Sequence, residues 1–412
     1  MARNAVAAPP AAATPWHARP AWRAAGAVAL IYLAARVVTT ALFVLASNLA
    51  PAEGRYGASP GLDKLFLGWD GQWYWLIGES GYPSDLPRTE TGAVKENAWA
   101  FMPVFPLLAR TLGTVLGGWP SAALVIVLCA GYGACLLLFH LWRSQLDERS
   151  ALWAVAFVAA GPLAGLFQVA YAEPLFLLLL AGALLAVQRR RFGWAYPLVA
   201  LAGLTRPGIL AFALFLALLL IVRWFHRRND PLSTRDVTHL VALAALATVV
   251  GFAWQVIAGI VTGDASAYLD TELAWRQAWG FGESGFWPFQ GWFEGAAFWF
   301  GTAWSLPVLL GYAAAVAIVL AVAALLMFDP RVRSTGIEVR LWSASYLLYL
   351  LAVFFPQSSV FRLLFPLSPL AGALAVPRSR AWRIGVLAVG VALQWWWIWN
   401  MYGIGRDFWQ IP

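Results

Sequence analysis

Residues 68–83 read GWDGQWYWLIGESGYP and form a polar, aromatic interruption in a strongly apolar chain. An apolar run at 24–47 precedes this stretch, and the sequence NAWAFMPVFPLL at 97–108 follows it and returns the chain to apolar composition. The interruption contains two carboxylates, Asp70 and Glu79, among tryptophans and glycines. Because apolar runs of this length span a membrane as helices, the sequence predicts a loop between two membrane segments, with chemistry on one face of the membrane.

The composition of the whole chain favours the same class of protein. Of 412 residues, 61% are hydrophobic and 12% are charged, whereas a soluble domain carries about 25% charged residues. We therefore predict an all-α, polytopic membrane protein. The net charge of +8 comes almost wholly from Arg placed between apolar runs, which indicates membrane orientation and not nucleic-acid binding. Cys129 and Cys135 fall on different faces of one apolar run, so neither a disulfide framework nor a metal motif is predicted.

Eleven apolar segments are predicted to span the membrane. The first, 24–47, contains Arg36, whose cost in the bilayer predicts a side chain that faces the protein interior and meets a partner. The stretch 102–116 is short and carries two prolines and Arg110, so we predict an interfacial amphipathic helix there. The other ten segments are 122–141, 151–166, 171–187, 194–204, 207–222, 237–261, 302–328, 341–355, 363–376 and 384–401.

Arginine placement predicts the orientation of these segments. If residues 1–23 form a disordered cytoplasmic tail, the Arg-bearing connections at 143–149, 189–191, 223–235, 331–340 and 378–383 all lie inside. Treating 102–116 as a span would place those clusters outside. Residues 24–412 then form one transmembrane domain with a first outer loop at 48–118 and a second at 262–301. We expect the Trp- and Gly-rich second loop to cover the first, with a plain interfacial anchor as the alternative.

Three later stretches carry further polar residues at the predicted outer ends of the spans. They are FQVAYAEPLF at 167–176, GLTRPGIL at 203–210 and SSVFRLLFPLSPL at 358–370. Together with the first outer loop, they resemble the motifs of the GPI mannosyltransferase II (PIG-V-like) family of multi-pass GT-C glycosyltransferases. The family pattern in the first loop has Ala at the position of Gly78 and Phe at that of Met102. The order and the predicted sidedness of all four motifs agree with the resemblance.

The resemblance implies inverting transfer of mannose from polyprenyl phosphate mannose at the non-cytoplasmic face. Such a transfer needs a base for the acceptor hydroxyl, for which Asp70 is the candidate, and cations for the departing phosphate. Arg206 and Arg362 are the candidates for the second role, because a guanidinium binds phosphate oxygens bidentately. The remaining candidates for sugar or acceptor binding, or for shaping the site, are Trp69, Gly71, Glu79, Tyr82, Asn97, Gln168, Tyr171 and Glu173.

Each of these residues also has a structural interpretation. Asp70 before Gly71 is a common turn sequence, and Glu79 could cap or tie the loop. Glu173 could form a salt bridge with Arg206 or Arg36. The two phosphate candidates could be interfacial arginines, and the tryptophans could be membrane-interface anchors.

The implied partners are the lipid-linked donor, membrane lipids and an acceptor. An Ala- and Arg-rich chain with very few lysines is typical of a bacterial protein, so we expect the plasma membrane and an envelope glycolipid or protein as acceptor. No cofactor is expected. All four histidines fall on the predicted cytoplasmic side, so an outer Mg²⁺ or Mn²⁺ site, the alternative, would need Asp70 with Glu79, Glu173 or Glu272.

Two rival functions remain. One is a GT-C transferase that uses another polyprenyl-linked sugar, and the other is a flippase or transporter of lipid-linked sugars. A transporter carries its ionisable residues near the membrane midplane. Only Arg36 is predicted to lie that deep, which favours the enzyme.

Overall fold

The computed structural model describes residues 21–277, 286–353 and 359–412. Within these ranges the chain is helical, and its one extended pairing is an isolated bridge between Arg88 and Val94. The predicted all-α class is confirmed. Most of the predicted tail, residues 1–20, lies outside the described residues, as do the middle of the second outer loop, 278–285, and Ser358 of the last motif.

The helices follow in chain order. They are α1 (Ala21–Leu49), α2 (Leu62–Phe66), α3 (Asp70–Ser80), α4 (Val104–Leu116), α5 (Trp119–Trp142), α6 (Glu148–Ala159), α7 (Glu173–Gln188), α8 (Phe192–Gly203), α9 (Leu210–Phe225), α10 (Thr234–Thr262), α11 (Ala267–Gln277), α12 (Gln290–Ala297), α13 (Val308–Phe328), α14 (Pro330–Arg333), α15 (Ile337–Val353), α16 (Val360–Leu363), α17 (Ala371–Ala375) and α18 (Arg380–Ile398). Short 3₁₀ segments lie at Ala98–Ala100, Ala164–Gln168, Phe365–Leu370 and Phe408–Gln410, and π-helical turns at Phe298–Ala303 and Trp399–Ile404.

Five of the described helices are long and apolar enough to cross a membrane: α1, α5, α10, α13 and α18 with its π-helical extension. Shorter apolar helices, including α4, α7, α8 and α9, accompany them. The predicted count of eleven spans and their orientation stay predictions. Two of the predicted spans are interrupted, because α6 ends before Pro162, and Pro366 and Pro369 lie in a 3₁₀ segment before α17. Proline lacks the N–H donor that a continuous helix needs at these positions.

Helix α7 lies at the centre of the molecule. Nearly every residue of this helix is buried, and it packs most extensively against α5 and α8. A helix that is apolar on all sides is stable only when it is surrounded by other elements. Its first residue, Glu173, is a buried carboxylate with 2% of its surface exposed, so the fold places one acidic group at the N-terminus of its core helix.

The predicted interior position of Arg36 is confirmed. Its guanidinium donates hydrogen bonds to the carbonyl oxygens of Ala159 and Ala164 and to Gln168, and it lies over the ring of Tyr32 at 5.0 Å. These carbonyls belong to the break between α6 and α7, where the interrupted helix leaves backbone acceptors free. Arg36 therefore ties α1 to that break.

Replacement of Arg36 by leucine should lower the melting temperature of the detergent-solubilised protein by several degrees, because the buried carbonyls lose their donor. Differential scanning fluorimetry measures this change. Arg23→Leu is the control, since Arg23 is exposed on the same helix. Equal melting temperatures for the two variants would contradict the structural role of Arg36.

The segments 48–118 and 262–301, predicted to be outer loops, contact one another in their described parts. The amide of Asn97 in the first loop donates to the hydroxyl of Thr271 on α11 at 2.8 Å, and Arg88 forms a salt bridge with Asp264 at 3.3 Å. The rings of Trp73 and Trp275 meet edge to face with centroids 5.7 Å apart. Helix α11 is thereby fixed beside the polar segment 68–83.

Candidate active site

Asp70 is the first residue of α3 and is held in place by its neighbours in sequence. Trp69 has a left-handed backbone conformation (φ 55°), and its indole N–H donates to the carbonyl oxygen of Met401 at 2.7 Å. The guanidinium of Arg55 lies over the same indole at 3.9 Å. A positive φ is costly for a bulky residue, so the contacts of Trp69 hold its backbone in a strained conformation, as is found at many functional sites. That backbone directs the Asp70 side chain inward.

Gly71 follows Asp70 where two backbone segments approach closely. A Cβ atom at this position would lie 3.3 Å from the carbonyl oxygen of Phe66 and 3.5 Å from the side chain of Ala170. The amide of Ala170 donates to that same carbonyl oxygen at 3.0 Å. Gly71 thus allows the loop to dock on the segment before α7, which brings Asp70 close to Glu173.

Four charged side chains meet in one cluster, one from the first loop and one from each of the three later sequence motifs. Arg362 forms an ion pair with Asp70 through Nη1 and approaches Glu173 Oε1 with its Nε at 3.4 Å. Arg206 Nε lies 3.7 Å from the same Glu173 oxygen. We call Asp70, Glu173, Arg206 and Arg362 the rim cluster. Its carboxylates and guanidinium groups alternate, so each charge has an opposite neighbour.

Tyr171 supports the rim cluster from below. Its hydroxyl accepts a hydrogen bond from the backbone N–H of Asp70 at 3.3 Å, and the guanidinium of Arg362 lies over its ring at 5.2 Å. A cation over a tyrosine ring is stabilised by the ring quadrupole. The same buried residue therefore positions both members of the Asp70–Arg362 pair.

The rim cluster keeps unused hydrogen-bonding capacity in its buried part. Arg206 Nη1 and Glu173 Oε2 are buried without a hydrogen-bond partner among the described residues. Most buried polar atoms in native proteins find a partner, and exceptions require an explanation. An anionic ligand is the natural partner for the free N–H of Arg206.

Burial raises the pKa of Asp70 above its ordinary value, and the charge of Arg362 opposes this rise. A carboxylate with a raised pKa is a stronger base than one in water, and a paired guanidinium keeps it ionised. The side chain of Asp70 is 19% exposed, so it remains within reach of a substrate.

A cavity of about 1560 Å³ opens on the rim cluster. All four members of the cluster line it, and both outer loops contribute to its walls, as do α10 and α15. Its volume exceeds the roughly 300–1,000 Å³ of a typical small-ligand pocket. Within the described ranges, no group of three or more His, Cys, Asp or Glu side chains is arranged to hold a metal ion.

The sequence matches no family model and no curated protein. Among solved structures, the fold is similar to ArnT from Cupriavidus metallidurans bound to undecaprenyl phosphate, with 17% identity and a TM-score of 0.47, over 89% of this chain and 63% of that chain. The apo state of the same ArnT aligns with 14% identity and a TM-score of 0.48, over 90% and 63% of the two chains. The oligosaccharyltransferase of Archaeoglobus fulgidus, in complex with Zn and sulfate, aligns with 14% identity and a TM-score of 0.43, over 90% and 54%.

This chain thus spans less than two thirds of the length of each of these proteins. Structural similarity this low assigns no activity to the chain. The evidence for its function comes from its own rim cluster and cavity.

The other sequence candidates lie outside the rim cluster. Tyr82 donates to the carbonyl oxygen of Phe101 at 2.9 Å and, like Asn97, ties the first loop together. Gln168 accepts from Arg36 and donates to Thr40, so it belongs to the α1 network. Glu79 is exposed near the end of α3 and does not line the cavity.

The pairing of Glu173 was left open by the sequence and is settled in part. Its carboxylate lies beside Arg206, one of the two partners considered, and also beside Arg362, which was not considered. It does not pair with Arg36, whose guanidinium binds backbone carbonyls instead.

Sequence reasoning gave little weight to the cavity wall formed by α11. Tyr268, Glu272 and Trp275 line the cavity from this helix, and only Glu272 had been named, as an alternative metal ligand. Their spacing of four and three residues places them on one helix face, which was the available signal. The Gly- and Trp-rich surroundings concealed that period.

Proposed function

We propose that this chain is a GT-C-type membrane glycosyltransferase that transfers mannose from polyprenyl phosphate mannose to an envelope glycolipid or protein. The transfer proceeds with inversion at the non-cytoplasmic face of a bacterial plasma membrane. The single observation that supports it best is the rim cluster, in which one partly exposed carboxylate and two guanidinium groups share a cavity wall. Direct displacement of a phosphate from C1 of a sugar requires a base for the attacking hydroxyl and cations for the departing phosphate, close together in one site.

The proposed reaction assigns each group a separate task. Asp70 accepts the proton of the acceptor hydroxyl. At the same time, the oxygen of that hydroxyl attacks C1 of the donor sugar from the face opposite the phosphate. The new C1–O bond forms as the bond from C1 to the phosphate oxygen breaks, which inverts the configuration. The phosphate leaves with the bonding electron pair, and Arg206 and Arg362 stabilise its charge.

Glu173 is proposed to hold the two arginines in position. One carboxylate oxygen lies near the Nε atoms of both guanidinium groups, at 3.7 Å from Arg206 and 3.4 Å from Arg362. Each Nε lies near Glu173 without a hydrogen bond to it, and the terminal nitrogens remain for other partners. Arg362 uses Nη1 for Asp70, and Nη1 of Arg206 has no partner within the described part of the chain.

Two alternatives differ from this proposal in substrate or in chemistry. A different polyprenyl-linked hexose or pentose fits the same cluster, because the cluster itself contacts phosphate and hydroxyl groups common to all of them. A flippase or transporter fits less well. Its charged residues are expected near the membrane midplane, whereas the rim cluster joins the outer loop to the ends of short apolar helices.

A transfer assay tests the proposal. Purified protein is incubated with radiolabelled polyprenyl phosphate mannose and an envelope lipid extract, and label in the product fraction is measured over time. We expect label to pass to acceptor and polyprenyl phosphate to accumulate. Transfer from another polyprenyl-linked sugar but not from the mannose donor would favour the first alternative. Movement of labelled donor across proteoliposomes without transfer would favour the second.

The same assay decides between arginine and metal stabilisation of the leaving phosphate. If Arg206 and Arg362 supply the positive charge, activity survives excess EDTA. The opposite result is loss of activity in EDTA with recovery in Mn²⁺. That result would make Asp70 a metal ligand, with Glu173 or Glu272, instead of a base.

A further inference from the structure

Helix α11 is docked against the rest of the protein by one of its faces. Ala267, Thr271 and Ala274 are buried on that face, at the spacing of four and three residues that one side of a helix shows. The hydroxyl of Thr271 accepts a hydrogen bond from Asn97 at 2.8 Å and donates to the carbonyl oxygen of Ala267 at 2.7 Å. The rotation of α11 about its axis is thereby fixed.

The neighbouring face of α11 is directed into the cavity. Tyr268, Glu272 and Trp275 follow one another at intervals of four and three residues, and all three line the cavity. The Tyr268 hydroxyl lies near the carboxylate of Glu272. The indole N–H of Trp275 is buried without a partner among the residues that the structure describes. We call these three side chains the α11 wall.

The chemistry of the α11 wall suits a neutral sugar. A carboxylate accepts hydrogen bonds from two adjacent hydroxyl groups, and a phenol hydroxyl both donates and accepts. Trp275 packs with Trp73 and Phe101, with centroid distances of 5.7 and 6.0 Å, and these rings form an aromatic surface beside the carboxylate.

Two tyrosines of α15 connect the α11 wall with the phosphate side of the cavity. Tyr346 lies within electrostatic range of Arg206 and Glu173, and Tyr349 lies within range of both Arg206 and Glu272. Both tyrosines line the cavity. A sugar is bonded directly to the phosphate in a polyprenyl phosphate sugar. A donor phosphate at Arg206 therefore keeps its sugar inside the cavity that Tyr349 and Glu272 also line.

We propose that Tyr268, Glu272 and Trp275 form the subsite that recognises the hydroxyl groups of the donor sugar, a neutral hexose. This assignment rests on the proposed transfer from a polyprenyl phosphate sugar. Glu272 determines the specificity of this subsite, because its carboxylate distinguishes the sugar-bearing donor from the sugar-free lipid phosphate that is released as product. Loss of sugar contacts after transfer also favours release of that product.

Binding of two lipids tests the subsite without requiring turnover. Purified protein in detergent is titrated with polyprenyl phosphate mannose and, separately, with polyprenyl phosphate. Glu272→Gln should weaken binding of the mannose-bearing lipid about tenfold or more, because it removes a charged acceptor. Binding of polyprenyl phosphate should stay unchanged. Glu90→Gln, an exposed carboxylate of the first outer loop, is the matched control and should change neither affinity.

Tyr268→Phe is the second variant, since it removes one hydroxyl and keeps the ring. It should weaken binding of the mannosyl lipid several-fold, and its result decides the matter if Glu272→Gln does not fold. Equal weakening of both lipids would overturn the subsite, because the effect would then act on the phosphate side. Unchanged donor binding together with a raised KM for the acceptor would also overturn the subsite, because the α11 wall would then bind the acceptor sugar.

Failure of the subsite differs from failure of the proposed function in this experiment. Wild-type protein that binds neither lipid contradicts the proposed function itself. Wild-type protein that binds the mannosyl lipid, with both variants binding it equally well, contradicts only the α11 wall.

Discussion

Replacement of Asp70 by asparagine is expected to lower turnover by roughly a hundredfold or more, the usual contribution of a positioned general base. Asparagine keeps the size of the side chain but cannot accept the proton of the acceptor hydroxyl. Arg362 retains Glu173 as a neighbour in this variant, so the protein is expected to fold. Initial rates of mannose transfer at saturating donor measure the effect, and the melting temperature checks the fold.

The pH profile shows whether the lost group was the base. Burial raises the pKa of Asp70, so in wild-type protein kcat/KM should fall as the pH drops through a value above the ordinary 3.8. The base is active when deprotonated, so wild-type activity is lost at low pH. This decrease at low pH should be absent from the pH profile of the residual activity of Asp70→Asn. Asp85→Asn is the matched control, an exposed residue of the same outer loop, and should keep both the rate and the decrease at low pH. Near-normal turnover of Asp70→Asn would remove Asp70 from the role of base.

Arg362→Lys is the second variant for which a large effect is expected, although it preserves the charge. One guanidinium contacts Asp70 through Nη1 and approaches Glu173 through Nε, whereas a lysine ammonium is a single point of charge. We expect kcat/KM to fall about tenfold or more, because the charged contacts to the leaving phosphate lose their geometry. Product inhibition by polyprenyl phosphate should weaken in parallel.

The control for this variant is Arg110→Lys, since Arg110 is exposed on α4. It tests whether an Arg-to-Lys change in the outer loop disturbs the protein in general. If Arg362→Lys keeps normal turnover and normal inhibition by polyprenyl phosphate, Arg362 does not bind the phosphate. Its contact with Asp70 would then be structural only.

The sequence alone was sufficient to name the four members of the rim cluster but not their connections. Asp70 and Arg362 are 292 residues apart in the chain, and no local pattern predicts that they pair. The motifs placed both at the outer ends of apolar segments, which predicted proximity without contacts. That Glu173 serves both arginines depends on the N-terminus of α7, whose position follows from the packing of the whole core.

Other differences from the sequence-based expectation have local physical causes. Gln168 belongs to the same motif as Tyr171 and Glu173, yet it lies in the 3₁₀ turn at Ala164–Gln168 and contacts Arg36. Hydropathy predicted spans at 151–166 and 363–376 but not where their helices end, and prolines interrupt both. Apolar content measures the affinity of a segment for the membrane, whereas helix continuity also depends on every backbone N–H.

The proposed function brings the donor and the acceptor together at the first outer loop. Asp70 lies at the start of α3, the rim arginines come from segments after α8 and before the 3₁₀ turn at Phe365–Leu370, and α11 lines the same cavity. We propose that the phosphate lies on the arginine side and the sugar on the α11 side. The acceptor hydroxyl then approaches Asp70 from the remaining opening of the cavity.

The most direct test of this account is an experimental structure of the Asp70→Asn variant with polyprenyl phosphate mannose bound. The variant is chosen because it should hold the donor without transferring the sugar. We predict the phosphate within hydrogen-bonding distance of both Arg206 and Arg362, with C1 of the mannose facing residue 70. A donor phosphate bound away from both arginines, with the rim cluster unchanged, would contradict the account.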